Sequence, residues 1–117
     1  MNTLELEIQE ARAQDVRVEE QILVVKLADG RTIITPLAWY PRLMHATPQE
    51  RANFEIIGED RYIHWPDLDE DLSVAGILVG RPARESAASL KKWLAARPQA
   101  VKQALPQVAE KKARYAK

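Results

Sequence analysis

Apolar residues recur along this chain first with the period of strands and later with the period of helices. Val16 and Val18 alternate with Asp15 and Arg17, Ile22 to Leu27 is apolar and largely β-branched, and Arg31 to Thr35 repeats that character. Such segments predict strands. Glu19-Glu20-Gln21 and Ala28-Asp29-Gly30-Arg31 separate them, and the Asp-Gly pair suits the positive φ angles of a type I′ hairpin turn. The expectation is a three-stranded antiparallel meander, stopped at Pro36 because proline cannot donate to a ladder. The lead-in over residues 2–10 fits two templates. Leu4, Leu6 and Ile8 alternate with Glu5 and Glu7 as in a strand, while Leu4, Ile8 and Ala11 share a helical face. We read it as extended.

The pattern changes in the middle of the chain. Trp39-Tyr40-Pro41-Arg42-Leu43-Met44 reads as a loop entering a short helix, with Pro41 in its first turn. Thr47-Pro48-Gln49-Glu50 is a helix start: Thr47 caps, Pro48 suits the first helical position and Glu50 completes a capping box. Phe54 to Ile57 and Tyr62 to Trp65 read as two short strands joined by the turn Gly58 to Arg61. Asp67 to Asp71 reads as an acidic loop. Asp71 or Ser73 then caps a helix running to about Val79, with Gly80 just past its end.

After Arg81-Pro82 the period is helical. Ser86 caps a helix whose apolar face is Ala87, Leu90, Trp93 and Leu94, ending at Arg97 before Pro98. Val101, Leu105, Val108 and Tyr115 continue the stripe across an interruption at Pro106. The predicted class is α+β: a three-stranded antiparallel meander, a helical insertion, two further short strands and a capped helix in residues 1–80, then a helical C-terminal arm in 81–117.

Composition adds little until it is divided along that boundary. The 117 residues hold 17 Lys plus Arg and 17 Asp plus Glu, so the formal net charge is zero. Residues 1–80 carry 7 basic and 15 acidic side chains, and residues 81–117 carry 10 basic and 2 acidic ones. An acidic body joined to a basic arm is a pattern of interaction proteins, although amphipathic helices also carry Lys on their wet face. There is no cysteine, which excludes disulfides, thiolate metal sites and cysteine nucleophiles. No apolar run approaches the ~20 residues of a membrane span. The start, Met1-Asn2-Thr3-Leu4-Glu5, lacks the basic and apolar regions of a secretory signal. A cytoplasmic location without membrane contact is the expectation.

Several words of the middle segment resemble a known family. Leu27-Ala28-Asp29-Gly30-Arg31, Pro36-Leu37-Ala38-Trp39-Tyr40-Pro41-Arg42-Leu43, Ala46-Thr47-Pro48-Gln49-Glu50-Arg51, Ile57-Gly58 and Ile63-His64-Trp65-Pro66-Asp67-Leu68-Asp69-Glu70-Asp71-Leu72-Ser73-Val74 occur in the order and spacing of the domain of unknown function 2442 family. The resemblance covers about residues 12–80. It implies a small bacterial α+β domain without an assigned enzymatic activity. Members are often encoded beside another small protein, in an arrangement similar to toxin–antitoxin pairs. Some relatives carry a C-terminal helix-turn-helix domain. The arm here is shorter and is broken by Pro98 and Pro106.

Candidate partner-binding residues follow from chemistry. Trp39 and Tyr40 stand beside Arg42 in a predicted loop, and Trp, Tyr and Arg dominate protein interfaces; Phe54 and Trp65 are better suited to the core. Asp67, Asp69 and Asp71 have the spacing that opens a calcium loop. The sixth and twelfth positions, where that loop requires Gly and Glu, are Leu72 and Leu78. No metal or other cofactor is therefore expected, and His45 and His64 have no spacing that joins them in a transition-metal site. His64 with the acidic run suits a basic partner held through carboxylates, or serves locally, with Asp71 capping the next helix. Lys91, Lys92, Lys102, Lys111, Lys112 and Arg114 are candidates for nucleic-acid phosphates.

No phosphate loop, nucleophile elbow or zinc-protease helix is present, so a binding protein is expected rather than an enzyme. The leading expectation is an antitoxin-like protein whose acidic body masks a small basic protein. Alternatives are a small nucleic-acid-binding regulator using the arm, or a mobile-element inhibitor that imitates nucleic acid. Mutual neutralisation of body and arm would also favour a homodimer.

Overall fold

The computed structural model describes residues 3–98, and the chain divides into two compact units, 1–84 and 85–117. The division lies just past the expected boundary at 80/81. Architecture is α+β, with the predicted meander in place and a second sheet richer than expected.

The lead-in is a helix, α1 (Thr3–Gln9), and not an extended segment. Alternation of Leu and Glu signals a strand only when one face is buried. Here Leu4 and Leu6 are 63% and 49% exposed, so the alternation encodes no inner face. Leu and Glu are good helix formers, and that preference prevails.

Strands β1 (Ala13–Val18), β2 (Ile22–Leu27) and β3 (Thr32–Pro36) form an antiparallel meander in that order. Val16 lies opposite Val25 and Val25 opposite Ile33; Val18 lies opposite Leu23 and Leu23 opposite Thr35. These rows supply the inner face.

The β2–β3 turn departs from the expected geometry. Gly30 has φ of 98°, but Asp29 keeps a negative φ, so the Asp-Gly pair is not a type I′ turn. Gly30 N–H donates to Leu27 C=O at 3.0 Å and Leu27 N–H to Arg31 C=O at 2.7 Å. That is a three-residue loop, a type I turn followed by a left-handed glycine. Asp29 stabilises it by accepting from the Arg31 backbone N–H at 3.0 Å and from its Nε at 2.8 Å. The mirror-image turn sits instead between β4 and β5, where Glu59 (φ 58°) and Asp60 (φ 65°) are both left-handed and Arg61 N–H donates to Gly58 C=O at 3.2 Å.

A 3-10 turn (Leu37–Trp39) leads into α2 (Pro41–Met44) and α3 (Pro48–Ala52). The α3 capping box is present: Glu50 N–H donates to Thr47 Oγ1 at 3.1 Å, and Thr47 N–H donates to Glu50 Oε1 at 2.8 Å. Strands β4 (Glu55–Ile57), β5 (Tyr62–Trp65) and β6 (Glu70–Ser73) form a second antiparallel sheet in that order. Strand β6 was not expected. A second 3-10 turn (Pro66–Leu68) reverses the chain at Asp69 (φ 50°), and Glu70 to Ser73 then pairs with β5. An edge strand needs few apolar residues, and Leu72 alone supplies the inward contact.

Ser73, not Asp71, caps α4 (Val74–Leu78), accepting from Gly76 N–H at 2.9 Å. The helix ends in a Schellman motif, with Gly80 N–H on Ile77 C=O at 3.1 Å and Arg81 N–H on Gly76 C=O at 2.9 Å. In the second unit, Ser86 caps α5 (Ala87–Ala95) as expected. The expected continuation of its stripe through Val101, Leu105, Val108 and Tyr115 lies outside the described residues.

The core of the first unit combines Leu23 and Val25 from the first sheet with Ile63 and Trp65 from the second. Leu37, Tyr40, Leu43, Leu68 and Val74 from the connecting elements complete it.

Candidate functional site

The structure separates the residues that sequence reasoning grouped together. Tyr40 is 1% exposed and belongs to the core, so it offers no surface to a partner. Trp39 is half-buried. Its carbonyl accepts from Ala83 N–H at 3.0 Å, and its ring edge lies close to Gly80. The side chain seats the end of the domain. Arg42 donates from Nη1 to the carbonyls of Leu68 at 3.0 Å and Asp69 at 3.1 Å, a structural role joining α2 to the second 3-10 turn.

Burial raises the pKa of Tyr40, and the neighbouring Thr35 hydroxyl offsets this in part. Both hydroxyls are buried outside full hydrogen-bond geometry. Because the folded-state pKa is the higher one, the phenol's contribution to folding is fully present below the unfolded value of about 10 and is lost as pH rises from there through the raised folded-state value. Tyr40→Phe is therefore expected to leave stability at pH 7 within about 1 kcal/mol and to flatten the decline above pH ~10, read from urea unfolding across pH.

The three aspartates do not converge. Asp67 accepts from Asn53 Nδ2 at 2.9 Å, Asp69 forms the left-handed residue after the second 3-10 turn, and Asp71 lies on β6. The arm candidates Lys91 and Lys92 lie exposed on α5; Lys102, Lys111, Lys112 and Arg114 lie outside the described residues. Within α5 and its end, Trp93 is occupied by Arg97, whose guanidinium carbon sits 4.5 Å from the ring centroid.

What the fold does assemble is the outer face of the second sheet. Period two sends Ile56, Ile63 and Leu72 inward as one cross-strand row. The two adjacent rows face outward. In one, Glu55, His64 and Asp71 lie side by side, and His64 Nδ1 hydrogen-bonds the Asp71 carboxylate. In the other, Ile57 and Tyr62 are paired, 42% and 48% exposed, beside Ser73.

Gly58 keeps that apolar pair open. Its φ is 61°, and a Cβ there would stand 2.8 Å from Tyr62 Cδ2, so only glycine lets the ring lie across the turn. Glu59 at the same end takes Arg61 at 3.6 Å and Arg12 at 4.0 Å. Among the described residues no three His, Cys, Asp or Glu stand in metal-binding geometry. The face offers carboxylates, an imidazole and a small apolar platform, a set suited to recognition. Sequence reasoning found His64 and Asp71 but missed Glu55, Ile57 and Tyr62. Their alternation over three or four residues was the available signal.

Solved structures resemble the fold of this chain. A protein of unknown function from Rhodospirillum rubrum is 29% identical, with a TM-score of 0.57 over 69% of this chain and 98% of that one. An uncharacterised protein from Chromobacterium violaceum, solved by solution NMR, is also 29% identical, with a TM-score of 0.55 over 81% of this chain and 84% of that one. No curated protein matches the chain. The model of the family described as protein of unknown function (DUF2442) matches residues 13–83, and the chain belongs to that family.

Proposed function

We propose that this chain is a protein-binding module that masks a basic surface of a small partner protein, in the manner of an antitoxin. The observation that carries this reading is the outer face of the second sheet, where Glu55, His64 and Asp71 form a row against the exposed pair Ile57 and Tyr62. Carboxylates arranged beside an aromatic platform match an interface that combines Arg or Lys contacts with a desolvated centre. The charge of residues 1–80, with 15 acidic against 7 basic side chains, adds long-range attraction for a cationic partner.

The test is co-expression with a small basic protein from a neighbouring gene, the arrangement that the family resemblance implies, followed by size exclusion and calorimetry. A stable complex is expected. The double substitution Glu55→Lys and Asp71→Lys is expected to weaken it about tenfold or more, with much of the loss in the association rate and in its salt dependence. Absence of a complex, or one indifferent to this double reversal, overturns the assignment.

A further inference from the structure

We infer that Asp29–Gly30 is a site of spontaneous main-chain modification, conversion to isoaspartate through a cyclic imide, and that Arg31 holds this site closed in the folded chain. The reaction uses only the chain and water. The Gly30 backbone nitrogen attacks Asp29 Cγ and gives up its proton, and the carboxyl hydroxyl departs with that proton as water, leaving a five-membered succinimide. Water then opens the ring at either carbonyl. One opening restores aspartate; the other leaves the main chain running through the Asp29 side chain. The pair is the one Asp-Gly in the sequence, and there is no Asn-Gly. Glycine places no side chain between the attacking nitrogen and Cγ. The turn is also open: the Asp29 side chain is 52% exposed, and a Cβ at Gly30 would meet nothing within 4 Å.

Three features of the folded hairpin oppose the first step. The leaving oxygen must be protonated, and Arg31 keeps the carboxyl ionised: its Nε and Nη2 each stand 2.8 Å from Oδ2, and its backbone N–H donates to Oδ1 at 3.0 Å. The same bonds aim both oxygens at residue 31, so Cγ turns onto the Gly30 nitrogen only by breaking them. The nucleophile is occupied as well, because Gly30 N–H donates to Leu27 C=O at 3.0 Å. The hydrogen bonds from Arg31, side chain first and backbone second, hold the Asp29 carboxyl below the usual carboxylate range. Glu7 and Glu10 from the α1 end and Arg12 line the same groove as Asp29 and Arg31; Glu7 acts on Arg31, and Arg12 is drawn to Glu59 at 4.0 Å. The charge that acts on Asp29 is that of Arg31.

The modification has a structural consequence. Isoaspartate adds Cβ to the main chain inside a three-residue loop that is closed by the 2.7 Å bond from Leu27 N–H to Arg31 C=O. The Ala28 N–H bond to Arg12 C=O at 2.9 Å, which ties the turn to the start of β1, lies in the same segment. A lengthened loop cannot keep both bonds, so the lesion opens this end of the meander. Arg31 is thus a positioning residue whose contribution is chemical lifetime. Its ion pair with Asp29 is exposed, and exposed pairs add little to folding stability.

The full-length chain alone tests this, incubated at mildly acidic pH in heavy-oxygen water and then mapped by peptide digestion with electron-transfer fragmentation. Unfolded in guanidinium chloride, the chain is expected to accumulate isoaspartate at residue 29, with one heavy oxygen incorporated per event. Folded, it should do so about tenfold or more slowly. Arg31→Gln, with an unchanged far-UV spectrum, is expected to isomerise about fivefold or more faster than the folded parent, and Arg31→Lys, which keeps the charge, to fall between the two. The pH at which the rate breaks reports the Asp29 carboxyl. It should lie lower in the parent than in Arg31→Gln, a shift that simple loosening of the turn does not produce. Absence of isoaspartate at residue 29 in the unfolded chain overturns the site. A folded Arg31→Gln chain that isomerises no faster than the parent, or whose rate breaks at the same pH, overturns the role of Arg31.

Discussion

Replacing Trp65 with alanine is expected to remove about 3–5 kcal/mol of stability, which is a large share of the roughly 5–15 kcal/mol that holds a small domain together. Trp65 is fully buried at the end of β5. Its ring stands 6.2 Å from that of Phe54 at a 50° tilt, and its Nε1 donates to the Arg51 carbonyl at 3.1 Å. The alanine variant loses the largest side chain of the core, leaves a cavity under the second sheet and strips the Arg51 carbonyl of a donor. The denaturation midpoint should fall by about 15–30 °C, with the urea m-value retained if the variant still unfolds in two states. Trp65→Phe keeps most of the buried area but not the donor, so its cost should be clearly smaller, about 1–2 kcal/mol. Equal costs for the two variants would show that the hydrogen bond, and not the packing, is the main contribution.

The same residue shows what was legible in the sequence. Trp65 occurs in Tyr62-Ile63-His64-Trp65, where alternation ends at Pro66, and both the strand and its inner face could be read there. The meander, the α3 capping box, the Ser86 cap and the glycine after α4 were equally local signals. Each depends on residues within about one helical turn or one strand pair.

The features that were not legible are those decided at a distance. Strand β6 is acidic and becomes a strand only because β5 offers a free edge. The type I′ turn forms at Glu59–Asp60, residues of poor left-handed preference, while the better-suited Asp29–Gly30 pair adopts another geometry under the hold of Arg31. Tyr40 looked like a loop aromatic because no periodicity surrounds it, yet the chain folds over it. The outer-face row was half legible. Asp71 stood out as part of an acidic run and His64 as a lone histidine. Glu55, which completes the row, is 9 residues earlier than His64 and meets it only through strand pairing.

Arg51→Met is the second large effect, and it tests how the helical insertion is held. Helices of four and five residues, such as α2 and α3, have no intrinsic stability in water. Their ends are fixed from elsewhere in the fold. Arg51, on α3, donates from Nε to Leu43 C=O and from Nη2 to Met44 C=O, both at 2.9 Å, closing the end of α2. Arg42, on α2, in turn holds the carbonyls after the second 3-10 turn. Burial lowers the Arg51 pKa and Glu20 offsets this in part, so the guanidinium sits in a site that is costly for a charge and is retained for its two directed bonds. Methionine preserves the stem and deletes both donors; about 2–3 kcal/mol should be lost in urea unfolding. Arg51→Lys should recover only part of it, because one ammonium cannot reproduce the planar fork that spans two successive carbonyls. Because the Arg51 carbonyl also receives Trp65, the costs of Arg51→Met and Trp65→Phe should be non-additive in a double-mutant cycle. Strict additivity would mean that α3 and the second sheet are stabilised independently, and that the insertion could shift without disturbing the outer face on which partner recognition is proposed.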